Sequence, residues 1–156
     1  MNDHAPLITR YESGADAPAR SIAGLTRDQL FAFPIPSTWS THQVILHLMD
    51  SDLIASERMK RVIAMDRPLI LAYDETLFTQ RLCYDHLDAH DACKLFELNR
   101  RMTAKLLRAL PADAWNRTGV HSERGLETLG HLVQGYCDHL DHHLKFIAAK
   151  RKALGM

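Results

Sequence analysis

Apolar residues recur at helical spacing in four stretches of the chain, and these predict four helices. The first runs roughly from Pro6 to Gly24, with Leu7, Ile8, Tyr11 and Ile22 on its apolar side. Pro18 within it signals a kink or a late start, because proline lacks the N–H and crowds the preceding turn. A short turn near Thr26 to Phe31 follows. The second helix has the sharpest start, in "FPIPSTWSTHQVILHLMD". Ser40 and Gln43 match the capping box, and Trp39 and Val44 stand at the two staple positions. It is expected to run from Thr41 to about Met65 and to stop before Pro68. Residues 67–87 read as a long connection with a helical turn near Glu75 to Arg81. The third helix is expected from about Asp88 to Leu110, with Ala89, Ala92, Phe96, Asn99, Thr103 and Leu106 as its stripe and Leu95, Met102 and Leu110 beside it. After a connection containing "TGVHSERG", the fourth runs from about Leu126 to Leu154. Runs of β-branched residues and Asn-Gly turns are missing, so strands are not expected. The pattern predicts an all-α four-helix bundle, read as one domain over residues 1–156.

Composition narrows the partners. Lysine plus arginine equals aspartate plus glutamate, 19 against 19, so no basic excess points to nucleic acid or an anionic membrane. No apolar run is long enough for a membrane span, and the N-terminus is unlike a secretory signal. Cys83, Cys93 and Cys137 are odd in number and scattered, which fits a reducing cytoplasm better than a disulfide framework.

Histidine is the residue that changes the picture. The segment "GYCDHLDHHLKFIAAKRK" holds His139, His142 and His143. The stripe of the fourth helix is Leu129, Leu132, Val133, Tyr136, Leu140 and Ile147, and its spacing places His139 and His143 on the same face. Residues at i,i+4 have Cβ atoms about 5–6 Å apart, close enough for two imidazoles to share a metal ion. His142 lies about 100° round the helix and points elsewhere. On the second helix, Val44, His47, Ser51 and Ile54 share a side, so His47 can supply a third imidazole. For the three to meet, the second and fourth helices must run antiparallel. A connection of 21 residues at about 3.3 Å each can span the bundle. The order expected is therefore up-down-down-up, with the long crossover between the second and third helices. The walls beside the site are then expected around Phe33 to Ser40 and the start of the third helix. The alternative is that these are core histidines satisfied by ordinary hydrogen bonds. His86 and His90, also i,i+4, fall off the third helix's stripe, towards Glu97 and Arg100, and read as solvated. His121 reads as a turn or packing residue. Asp50, near His47, is a candidate to orient a ligand imidazole, or else an ordinary polar helix residue. Cys137 is about 200° from His139 and is not expected to face the metal.

The stretches "WSTHQVILHLMDSD", "GVHSERGLETLGHLV" and "HLDHHLKFI", in that order, resemble the DinB-like (YfiT-like) superfamily of metalloenzymes, over nearly the whole chain. The resemblance implies a three-histidine site of His47, His139 and His143 for one divalent metal, usually zinc or nickel. It also implies the up-down-down-up bundle and a homodimer. Asp52 stands where the family often has glutamate. Three neutral imidazoles leave a coordination position open, the pattern of a catalytic zinc site. The resemblance extends to thiol-dependent S-transferases, with a low-molecular-weight thiol as cosubstrate, and to hydrolases of small molecules. The expected function is a metal-dependent enzyme of one of these kinds, its catalytic residues unassigned. The alternative is a non-catalytic metal- or small-ligand-binding stress protein.

Overall fold

Side chains that can accept backbone N–H groups fix where the helices begin. The computed structural model describes residues 4–156. Helix α4 (Thr41–Ala64) starts at Ser40, whose Oγ accepts the Gln43 N–H at 3.1 Å while the Gln43 side chain accepts the Ser40 N–H at 2.9 Å. Helix α6 (Ala89–Ala109) is capped by the Asp88 carboxylate, and α7 (Leu129–Ala153) by Thr128 Oγ1. The N-terminal stretch is split into α1 (Ala5–Ser13) and α2 (Ala17–Ile22), so Pro18 sits in the first turn of a new helix, where its missing N–H costs nothing. The short helices α3 (Arg27–Phe31) and α5 (Glu75–Arg81) occupy the two segments expected to turn.

Two apolar clusters give the helix directions. One joins Val44, Ile45 and Leu48 of α4 to Ala89, Ala92 and Phe96 of α6 and to Leu140 and Ile147 of α7. The other joins Met59 and Val62 of α4 to Ala104 and Leu107 of α6 and to Leu129, Leu132 and Val133 of α7. Starts meet starts along α4 and α6, so these run parallel, whereas α7 runs against both. Ile8 and Tyr11 of α1 fall in the second cluster and Ala17 and Ile22 of α2 in the first, so α1–α2 runs with α7. The bundle is up-down-down-up, and residues 65–88 make the crossover.

The structure corrects the expectation that strands are absent. A small sheet of β1 (Leu69–Ile70), β2 (Thr118–His121) and β3 (Gly125–Thr128) lies across the connections in the order β1-β2-β3. β1 pairs parallel to β2, with Leu69 opposite Val120, and β2–β3 is an antiparallel hairpin. Residues 126–128 therefore belong to a strand, and α7 starts at Leu129 rather than near Leu126. Close packing needs a glycine here: a Cβ on Gly119 would lie 2.6 Å from Ile70 Cδ1 and 3.0 Å from Val62 Cγ2. Arg117 ties this sheet to the end of α4, donating to the Val62 and Met65 carbonyls at 3.0 and 2.8 Å.

Ala89, Ala92, Phe96 and Thr103 of the stripe expected on α6 are buried, and the buried face extends beyond it on one side only. Cys93, Arg100, Ala104 and Leu107 are buried, while Leu95 and Met102 are exposed. Arg100 can enter the core because Asp52 meets it there, with Nε donating to Oδ1 at 2.8 Å. Among the described residues no helix is long and apolar enough to cross a membrane, and all three cysteines are free thiols.

Candidate metal centre and cleft

His47 points off α4 towards α7, and His139 and His143 point back from successive turns of α7. Antiparallel packing brings the three to one point. His139 Nε2 lies 3.1 Å from His47 Nε2 and 3.1 Å from His143 Nε2. His47 and His143 are buried, and His139 is partly open. Burial lowers the His47 pKa to about 4. Burial, then the neighbouring imidazoles, lowers His139 to about 3. His143 falls to about 4 through burial and then His47. All three imidazoles are thus neutral at pH 7, the form that ligates metals.

The donor set fits a divalent ion on two counts. Two nitrogens each about 2.1 Å from one ion are separated by about 3.0–3.4 Å for right-angle to tetrahedral geometry, which brackets the observed spacing. Hydrogen bonding alone fits poorly. An imidazole Nε2 carries either one proton or one lone pair, yet His139 Nε2 faces two other ring nitrogens. One cation accepting all three lone pairs resolves the conflict. His143 Nδ1 is buried without a hydrogen-bond partner among the described residues.

The other candidates lie elsewhere. Asp50 accepts the Tyr84 hydroxyl at 2.6 Å, so its bonding partner is the crossover segment and not an imidazole. His142 is exposed and stacks edge-on with Phe146. His86 and His90 are exposed, and Cys137 is buried in the apolar core.

The walls beside the histidines differ from those expected. Trp39 does touch the site, its ring tilted against His47 at 5.1 Å. The start of α6 packs under α4 instead of lining the opening. The opening is a cleft of about 340 Å³ formed by α4, the crossover at residues 72–75, the β2–β3 hairpin and the first half of α7, with His139 on its wall. Sequence reasoning missed the crossover and hairpin walls of this cleft because they sit on connections without periodicity. Glu75, at the start of α5, places Oε2 3.6 Å from His47 Nε2; with His47 neutral this is a polar contact and not an ion pair. His121 is buried on β2, and its Nδ1 accepts the Glu123 N–H at 3.2 Å. Arg124 holds Glu127 in a two-bond pair at 2.6 and 3.1 Å, which keeps the Glu127 carboxyl below its usual pKa. Arg58 reaches across from α4 to the Tyr136 hydroxyl at 2.8 Å and to the Leu71 carbonyl.

Comparison with known proteins agrees with this picture. The sequence model of the DinB superfamily matches residues 11–147. The chain is 32% identical over 134 residues to "Putative metal-dependent hydrolase OB0782" of Oceanobacillus iheyensis, covering 85% of this chain and 77% of that one. It is 29% identical over 119 residues to "Putative metal-dependent hydrolase YfiT" of Bacillus subtilis, covering 75% and 66%. The solved structure of YfiT, described as "a probable metal-dependent hydrolase with an unusual four-helix bundle topology", superposes with a TM-score of 0.88 over 96% of this chain and 86% of that one, at 24% identity. A DinB-like protein of Bacillus subtilis, YjoA, shares the fold at a TM-score of 0.62 and 14% identity, over 97% and 93% of the two chains.

Proposed function

Since the chain belongs to the DinB superfamily, we propose that it is a metal-dependent hydrolase of small molecules, with His47, His139 and His143 holding one divalent ion. The observation that carries this reading is the convergence of three neutral imidazoles beside a polar cleft large enough for a small substrate. The names of its relatives support the same reading. Zinc or nickel is the ion we propose, and imidazole ligands suit both. Bound there, such an ion supplies a Lewis acid and brings the pKa of water towards neutrality.

The chain's own groups do the rest. Glu75 is 55% exposed, so its carboxylate is open to solvent and substrate. Beside His47, its Oε2 is placed to take a proton from the attacking water and return it to the leaving group. Trp39 and the apolar cluster beneath α4 close the far side of the histidines, leaving the cleft as the approach. His121 and Tyr136 line that approach and offer hydrogen bonds to hold the substrate.

The test is an assay of metal-loaded protein on a panel of small esters and amides, with and without added low-molecular-weight thiols. Hydrolysis without thiol is expected, absent in His143→Ala even with added metal, and lowered about 100-fold in Glu75→Gln. Turnover that requires a thiol would replace hydrolysis with S-transfer. Tight metal binding without any turnover would turn the reading to a non-catalytic metal-binding protein.

A further inference from the structure

The cleft contains a buried cation that lacks an anion. Arg58 is 6% exposed, yet its bonding partners are neutral: the Tyr136 hydroxyl, the Leu71 carbonyl and the face of the Tyr73 ring at 5.8 Å. Among the described residues no carboxylate pairs with it. The other buried arginine, Arg100, has Asp52. Across the cleft, Arg124 is already engaged by Glu127. Of the remaining acids on the walls, Glu75 stands by His47, and Glu123 is exposed on the hairpin. A buried guanidinium is expensive without a counter-charge and binds a planar oxyanion with its fork of donors. Its two hydrogen bonds engage two of the guanidinium nitrogens, one N–H each, out of about five N–H groups.

We propose that Arg58 is the subsite for an anionic group on the substrate, so that the substrates are small esters or amides carrying a carboxylate or phosphate remote from the reacting carbonyl. The Tyr136 hydroxyl fixes the guanidinium, and Tyr73 flanks it. The same α4 face presents His47, Ser51 and Arg58. Eleven residues separate His47 from Arg58, about 16 Å along the helix axis. Helical side chains lean towards the N-terminus, so the long Arg58 side chain shortens the gap to on the order of 10 Å. That spacing selects a substrate of amino-acid or dipeptide size, with the anion at one end and the scissile group at the other. The reacting end rests on the hydrolase reading; the anion subsite is built by the chain alone.

The experiment titrates glutarate, inorganic phosphate and the neutral diamide of glutarate into metal-loaded protein by calorimetry, and repeats the titrations after chelation. Glutarate or phosphate should bind at least tenfold more tightly than the diamide. Arg58→Met should abolish that preference, and Arg58→Lys should recover part of it. Which of the two anions binds better identifies the substrate's charged group. The preference should persist after chelation. Equal binding of anion and diamide by the wild type overturns the proposal without recourse to any variant. A preference that survives Arg58→Met but vanishes on chelation assigns the anion to the metal, which overturns the subsite and leaves the metal reading intact.

Discussion

Helix α4 carries two buried polar groups five residues apart, and their surroundings are opposite. Asp52 faces α6. Its Oδ1 accepts Arg100 Nε at 2.8 Å and its Oδ2 accepts Asn99 Nδ2 at 2.7 Å. Arg100 continues to the carbonyls of Tyr136 at 2.9 Å and Tyr11 at 3.4 Å, and lies against the Tyr11 and Phe96 rings. This cluster links α1, α4, α6 and α7, and charge meets charge within it. His47 faces α7, where His139 Nε2 meets two other ring nitrogens with only one proton or one lone pair to offer them. A satisfied polar cluster specifies how helices pack. A convergent set of lone pairs is left for a ligand.

Breaking the satisfied cluster should have the largest effect. Arg100→Met leaves the Asp52 carboxylate buried without its cation, and should cost about 3–5 kcal/mol in urea unfolding. Combining it with Asp52→Leu should recover most of the loss, because an apolar pair of similar volume is tolerated where a lone charge is not. Failure of the double variant to recover would mean that the pair does more than satisfy itself.

The histidines should behave in reverse. His143→Leu removes a buried Nδ1 that has no partner, so the metal-free protein should keep or slightly gain stability. Its metal affinity should drop by about 100-fold or more, beyond what loss of a ligand's supporting partner costs. Stability falling as far as in Arg100→Met would erase the distinction between the clusters.

Acid acts on the histidines with a fixed sign. The three imidazoles have depressed pKa values in the fold, about 4, 3 and 4. Below the ordinary histidine pKa near 6.5 the unfolded chain takes up protons that the native site refuses. The metal-free protein should therefore be most stable above about pH 6.5 and lose stability as pH falls towards 4. The variant lacking all three histidines should show a flatter profile in thermal unfolding over that window. Smallest is Asp50→Asn, which weakens one hydrogen bond to Tyr84. It should cost about 1 kcal/mol and leave metal content unchanged; loss of metal would return Asp50 to the site.

Much of this was legible in the sequence, for a physical reason in each case. The long helices announce themselves through caps and apolar spacing, as Ser40 and Gln43 show. The helix order follows from requiring His47 to meet His139 and His143, which only antiparallel helices allow. The sheet was not legible, because β1 has two residues and β2 and β3 have four each, too few for alternation to register. The cleft was missed with it. Its working groups, Glu75, His121 and Arg124, lie on connections, and only the folded crossover and hairpin bring them to α7. Arg100 was read on the solvent side of α6, since a charged residue signals solvent until its partner Asp52 is found across the interface.

The central claim is that three imidazoles are arranged for one divalent ion. The direct measurement is titration of zinc and of nickel into metal-free wild type and into the His47, His139, His143 triple leucine variant, with elemental analysis of the dialysed products. The account predicts one retained ion per chain in the wild type and in His86→Ala and His90→Ala, and none in the triple variant. No retained ion in the wild type, or equal retention by the triple variant, would contradict it.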